Sequence, residues 1–486
     1  MSLAGENASR VRSIQMRVLC WCALSALVGG CVSADAGYGD VRRLVVSRTG
    51  REVRWQEHEQ ASEEDRGTRE LLSKPLTADA AVQIALLKNA RIQAAFEDLG
   101  VARGQLVQRL RLPNPSVDAA VRFESGSSRR PEIDVSALLS LTSLALLPLQ
   151  SGSGQARLEA AKLSVAGQIL DLSLETRVAF YRYQAAQQTL ELDRNILEAL
   201  RASLEAAEEL HAAGNITDLR LENERALYEE ARVAHGRAEA ALGIQRQELA
   251  ALLGLWQADS NWATEPRLAA PASAGDLPND LEARAIAQSL DLQLLRARST
   301  AAAKEANLAT ARGWIPDLRA GVSAERKNEI DPGWSVGPAV ALEVPLFYQG
   351  QGERAAALSD LRRQKELHGE MAVRIRASAR ELSARVQAAS KSVEYYERVL
   401  LPLRQKILDD TQLEYNAMSI GVFQLLEAKR AQIEAARTYV ELLREYWVAR
   451  AEADQLLAGR LPTGGVGISA GPGEGREPAS PSLPAH

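Results

Sequence analysis

From Leu149 to Glu265 this 486-residue chain contains no proline, and after Pro345 none recurs until Pro402. Across the first of these stretches apolar or small side chains return every three or four positions, from Leu163 through Gly167, Leu170, Leu174, Val178, Tyr181, Ala185, Thr189, Leu192, Ile196, Leu200 and Leu204. The mean spacing is roughly 3.7 residues, close to the 11-residue repeat that packs straight or with a slight right-handed twist. At 1.5 Å per residue, Gln155 to Leu210 alone predicts a rod on the order of 80 Å long, which no compact domain accommodates. Taken by themselves these rods fit a coiled-coil scaffold equally well. Composition agrees with long helices: 46% hydrophobic and 25% charged residues make an ordered chain, while 5% aromatic is low for a core of packed rings. A net charge of -5 and a pI near 5.8 leave no basic field for nucleic acid.

The chain does nearly the same thing twice, with a shift of about 200 residues. ALLKNARIQAAF (Ala85 to Phe96) faces AIAQSLDLQLLR (Ala285 to Arg296), and the segment ending LRLPNPSVDAAVRF faces the one ending ARGWIPDLRAGVSAE. Each half then runs through a turn, an apolar strand-like piece and a Gln/Gly turn, SGSGQAR against YQGQGER, into a long helical block. The resulting division is 76–264 for the first repeat, 265–280 for a Pro/Ala/Gly linker, 281–461 for the second repeat, and 462–486 for a Gly/Pro/Ser tail expected to be disordered.

The short pieces between the rods alternate with period two. Val117, Ala119, Val121 and Phe123 alternate with Ser116, Asp118, Ala120 and Arg122; Leu318, Ala320, Val322 and Ala324 alternate with Arg319, Gly321, Ser323 and Glu325. Val336, Pro338, Val340, Leu342, Val344 and Leu346 repeat the pattern, while the fourth piece, Ile133 to Leu149, is apolar without alternation. Strands with one apolar face are expected. A soluble antiparallel sheet would alternate in the same way. Four strands of about ten residues, in an exported chain with no spanning apolar helix, fit a β-barrel wall better. Trp334 at one end of the second hairpin, and Trp314, Phe347 and Tyr348 at the other, are candidates for two interfacial aromatic belts, with a soluble core as the rival placement. Since about eight strands are needed to close a barrel, four must share their edges with other copies.

Export is read from Met16-Arg17 followed by VLCWCALSALVGG, the grammar of a secretory signal over 16–30. The polar residues 1–15 make an unusual prefix, so Met16 is the expected natural start. All three cysteines, Cys20, Cys22 and Cys31, lie at this end. Val28-Gly29-Gly30-Cys31 resembles a bacterial lipobox, which makes Cys31 the expected lipid attachment point of an extended arm over 31–75; a plain signal with a chance cysteine is the alternative.

Two tandem halves of helix, strand hairpin and long helix pair resemble the TolC family of outer-membrane efflux factors over roughly Leu76 to Leu461, with PNP or WIP leading into a strand and PLFYQGQGERAAA leading out. The tips LHAAGNITDLRLENERAL and YNAMSIGVFQLLEAKRAQIEAARTYVELLREYWVARAEADQLLAG resemble the family's helix-turn-helix ends, and the lipobox points to its lipoprotein branch. The resemblance implies a mainly α fold with a small transmembrane β-barrel. Four strands from each chain of a homotrimer would form one twelve-stranded barrel, continued by an α-helical tunnel into the periplasm. It also implies a periplasmic adaptor and an inner-membrane pump of the RND type as partners, with outer-membrane lipid around the barrel. LLSLTSLALLPLQ and VVSRTGREVRW are most similar to members that serve heavy-metal exporters.

Carried over position by position, the family's periplasmic gate falls on Tyr415, Gln424 and Glu427. Met418 stands where a Gly is usual and Gln424 where an acid is usual. Gln424 and Glu427 are spaced i, i+3 and share a helix face. Gly214 and Asn215 in one tip, Met418 and Gly421 in the other, become the expected adaptor contacts. A solvated helix charge is the plain alternative for Glu427.

No GxSxG, HExxH or P-loop pattern occurs, the histidines are scattered, and beyond the signal only Met371 and Met418 could serve a soft-metal relay. The chain is therefore read as a non-enzyme without a cofactor or resident metal. Two other functions fit parts of the pattern: a periplasmic adaptor or scaffold lipoprotein without a pore, and the outer-membrane duct of a polypeptide secretion system.

Overall fold

A computed structural model of the chain describes residues 37–53, 68–123, 131–256, 262–271, 277–326, 333–344, 346–347 and 349–462. The expected signal segment over 16–30, Cys31, Tyr348 and residues from 463 on lie outside the described residues. The arm contributes α1 (Tyr38–Thr49), and the first repeat comprises α2 (Ala78–Lys88), α3 (Ala90–Leu110), β1 (Ser116–Arg122), β2 (Glu132–Ser140), α4 (Leu141–Ala212) and α5 (Asp218–Leu253). The second comprises α6 (Leu281–Gln288), α7 (Leu290–Trp314), β3 (Asp317–Arg326), β4 (Trp334–Glu343), α8 (Gln351–Tyr395), α9 (Leu401–Asn416) and α10 (Val422–Leu457), with a π-helical turn at Tyr396–Leu400 between α8 and α9.

The duplication is visible in the breaks as well as in the elements. Asn89 separates α2 from α3 and accepts the Arg91 N–H, while its own amide donates to the Leu252 carbonyl at 2.8 Å. Ser289 separates α6 from α7 and accepts the Leu292 N–H. Both residues satisfy an N–H that the start of the next helix would leave free.

Three expectations are corrected. The run from Ile133 to Leu149 is not one strand: β2 ends at Ser140 and α4 begins at Leu141. Within β2, Ile133, Val135, Ala137 and Leu139 alternate with Asp134, Ser136 and Ser140; the pattern was hidden by Leu138 on the other face and by the opening turns of a helix that follow without a break. SGSGQAR is not a turn either, since it lies inside α4. Its small residues serve close helix contact: a Cβ on Gly154 would stand 2.7 Å from Leu106 Cδ1, and the buried Ser153 donates to Glu305 Oε2 at 2.6 Å. The arm contains the helix α1, not only extended chain, and it is docked. Val41 and Val45 are buried, Lys162 of α4 bonds Asp40 at 2.7 Å, and Arg51 pairs with Asp79.

At 72 residues α4 is about 110 Å long and runs from the sheet to the far tip. The second-half rod is interrupted where proline enters. Pro402 lacks an N–H and crowds the carbonyl four residues earlier, and the π turn at Tyr396–Leu400 widens the helix just before it.

Two cores hold the rods together. One joins Val41, Ile84, Phe96, Ile169, Phe180 and Leu249; the other joins Leu281, Ile375, Val386, Val440, Leu443 and Tyr446. They meet where Tyr181 stacks on Trp447 with ring centroids 5.4 Å apart. A charged clamp closes the same junction from the end of the second repeat. Arg460 donates to Asp171 at 2.6 Å and to Asp291, whose other oxygen accepts the Leu461 N–H at 2.8 Å. Burial pushes the Asp291 carboxyl up; Arg460 is held above the ordinary arginine value, because the two carboxylates outweigh its own desolvation.

Candidate functional site

The sheet has the order β1-β2-β3-β4 and is antiparallel throughout, so β1 and β4 each have one unpaired edge. Residues opposite one another share a face. The register puts Val117, Ala137, Val322 and Pro338 in one row, with Ala119, Val135, Ala324 and Val336 in the next. Val121 and Ile133, then Leu318 with Leu342 and Ala320 with Val340, continue the same face. It is apolar from edge to edge except at Arg326, which shares the end row of Val121, Ile133 and Trp334, and it is bare. Val117, Val336 and Val340 are 68%, 68% and 70% exposed. The opposite face carries Asp118, Ser136, Ser323 and Gly337 in one row and Ala120, Asp134, Glu325 and Ser335 in another. Its charged groups are Asp118, Glu132, Asp134, Asp317, Glu325 and Glu343 against Arg122 and Arg319. Arg122 lies 2.9 Å from Asp134 and 3.8 Å from Glu132, next to Glu325, an acidic group that no histidine or cysteine joins among the described residues.

The strand-to-helix junction is stitched by side chains. Thr142 Oγ1 donates to the Pro316 carbonyl at 2.7 Å and accepts the Leu318 N–H at 2.8 Å, continuing the ladder from the first turn of α4. Ser140 caps that helix and its hydroxyl reaches Asp317 at 2.9 Å. Trp314, 79% exposed, and Phe347, 96% exposed, sit at this end; Trp334, also exposed, opens β4 at the other. Nine steps of about 3.4 Å separate Trp334 from Glu343, roughly 30 Å and the thickness of a bilayer core.

At the opposite end of the molecule the two helical hairpins close with the same turn. Gly214 N–H bonds the His211 carbonyl and Asn215 N–H that of Leu210, both at 2.8 Å; Met418 N–H bonds Tyr415 at 2.9 Å and Ser419 N–H bonds Glu414 at 3.0 Å. Both turns require the left-handed region, with φ of 72° at Gly214 and 61° at Met418. Met418 thus adopts a backbone that a Cβ disfavours. Thr217 caps α5 through the Arg220 N–H, whereas Gly421 offers α10 no side chain and Gln424 folds back over it, so that a Cβ at Gly421 would stand 3.1 Å from Gln424 Oε1.

Gln424 and Glu427 are exposed and lie one turn apart on α10. The Tyr415 hydroxyl bonds no group among the described residues. Gate and adaptor-contact candidates are thus brought together at one end, and Trp314 and Phe347 at the junction with the sheet. Two tip residues escaped the sequence reading: Arg220 of α5 and Phe423 of α10, whose guanidinium and ring lie 4.4 Å apart. A basic residue in one tip and an aromatic in the other was the available signal.

Residues 81–255 match the model of the outer membrane efflux protein family. That match spans most of the first repeat. The cobalt-zinc-cadmium resistance protein CzcC of Cupriavidus metallidurans is 22% identical over 397 residues, covering 79% of this chain and 90% of CzcC. Among solved structures, a membrane protein from Pseudomonas aeruginosa superposes with a TM-score of 0.66 at 17% identity, covering 79% of this chain and 90% of that one. CusC, whose structures concern transmembrane channel formation, superposes with 0.64 at 16% identity, covering 79% and 92%. In fold the chain is therefore mainly helical and TolC-like, with a small sheet. The family whose model residues 81–255 match is one of outer membrane efflux proteins.

Proposed function

We propose that the chain is the exit duct of a tripartite efflux system, passing metal cations or small toxic compounds from an inner-membrane pump, of the RND type, through a periplasmic adaptor to the outside. One observation carries the reading: a four-stranded sheet with an uncovered apolar face and two open edges. Exposed strand edges invite pairing, and three copies supply the twelve strands that close a barrel with its apolar face toward lipid. The polar face then lines the lumen. Its six carboxylates against two guanidiniums per chain favour cations. The likeness to a cobalt-zinc-cadmium resistance protein supports metal cargo.

In this reading Trp314, Trp334, Phe347 and Tyr348 mark the two lipid interfaces, and Cys31 carries the acyl chains that anchor the amino terminus. Gly214, Asn215, Met418 and Gly421 present the tips to the adaptor. Three copies of Glu427, with Gln424 one turn away and Tyr415 in the turn before, ring the periplasmic entrance. No covalent step is involved, and cargo moves through water. Deleting the gene from its native host tests this: higher cell content of zinc, cobalt or cadmium under metal stress, restored by the intact gene, is expected. Unchanged content for every metal tried would overturn the metal reading.

A further inference from the structure

Glu224 of α5 is a carboxylate with 6% side-chain exposure, on a helix whose other acids face solvent. A buried charge persists only where partners replace its water. Ser203 of α4 donates to Oε2 at 2.8 Å, and Arg220, one turn earlier on α5, approaches Oε1 at 2.8 Å. Arg220 is fixed further by its backbone N–H, which bonds the Thr217 hydroxyl at the helix start. A side chain as long as arginine would otherwise sample many rotamers. Held in this way, its guanidinium lies over the Phe423 ring, 4.4 Å from the centroid. Phe423 is the second residue of α10 and directly precedes Gln424.

We infer that Arg220 and Phe423 form the latch that keeps the tip of the second hairpin against that of the first, with Glu224 and Ser203 as positioning residues; this rests on the duct reading. The contact joins helices of different repeats, so it opposes any movement of α9 and α10 away from α4 and α5. Gln424 and Glu427 ride on the same helix as Phe423, so breaking the contact releases them together. The attraction is between a cation and a ring face, which leaves Glu427 free for a passing cation. The Tyr415 hydroxyl, with no hydrogen-bond partner among the described residues, does not bridge the hairpins within one chain.

The test uses the full-length protein in lipid nanodiscs, with nitroxide labels on unnatural residues at the exposed tip positions Asn215 and Ser419, leaving Cys31 untouched. With the labelled chain diluted into unlabelled copies of the same sequence, a single narrow distance distribution is expected for the unaltered protein. Arg220→Gln and Phe423→Leu each broaden and lengthen it, and raise the open fraction of single channels about two- to fivefold. Their combination adds little to either alone, because both break one contact. Phe423→Trp and Arg220→Lys, which keep a ring and a cation, retain the narrow distribution. Distances that do not respond to Arg220→Gln or Phe423→Leu, or that broaden as much with Phe423→Trp as with Phe423→Leu, overturn the latch. Distances that respond in a protein that never conducts uphold the latch and overturn the duct; channels that conduct while the distances stay fixed do the reverse.

Discussion

Val322 occupies the sixth of ten positions in β3, in a row that runs Val117, Ala137, Val322, Pro338 across all four strands. At about 3.4 Å per residue it is some 14 to 17 Å from either strand end, near the middle of a 30 Å slab once the strands tilt. An arginine there meets hydrocarbon, at a cost of about 2 to 4 kcal/mol for each chain. Three copies in one barrel would bring the penalty to roughly 6 to 12 kcal/mol if their effects add. Ser323→Arg is the matched control, one residue along and on the polar face, in the row Asp118, Ser136, Ser323, Gly337. A carboxylate in that row and water around it keep its cost below about 1 kcal/mol. Urea unfolding of the two variants in lipid vesicles, alongside the yield of each in outer membranes, measures the difference. Equal losses for Val322→Arg and Ser323→Arg, or a greater loss for Ser323→Arg, would refute the assignment of the apolar face to lipid.

Met418→Gly removes the Cβ from a left-handed backbone and should stabilise the turn by about 1 kcal/mol, seen as roughly fivefold slower hydrogen exchange at residues 415–421. Arg460→Ala leaves Asp171 and Asp291 largely buried without their cation and should cost about 3 to 5 kcal/mol in thermal or denaturant unfolding; a loss below about 1 kcal/mol would mean that the clamp is ornamental. Burial raises the Glu305 carboxyl, but Ser153, Arg109 and Arg157 lower it further, and the net value falls below the ordinary 4.5. Its stabilisation is therefore present above the unfolded pKa and lost as pH falls through the lower folded one, so Glu305→Gln should flatten the decline of stability below about pH 4.5.

SVDAAVRF and LRAGVSAE declared their strands because each alternates over its whole length and ends at polar or turn residues. Ile133 to Leu149 did not, since β2 passes into α4 at Ser140 with no glycine or proline between, and a helix following a strand erases period two. SGSGQAR misled for a related reason. Small residues mark turns and close helix approaches alike, and only the neighbour, Leu106 against Gly154, tells which. The tips were placed by their resemblance to the family's helix-turn-helix ends, and Met418 stood out there as the residue where a Gly is usual. Contacts that depend on which rods lie side by side, Arg220 on Phe423 and Arg460 between Asp171 and Asp291, join residues up to 289 positions apart and leave no periodic trace.

Recording from the purified protein in planar bilayers tests the central claim most directly, that copies of this chain close their sheets into one water-filled passage. Discrete conductance steps of uniform size are predicted, cation-selective under a salt gradient and absent from Val322→Arg. Folded protein that associates with the bilayer and never conducts, or that conducts equally well as Val322→Arg, would contradict it.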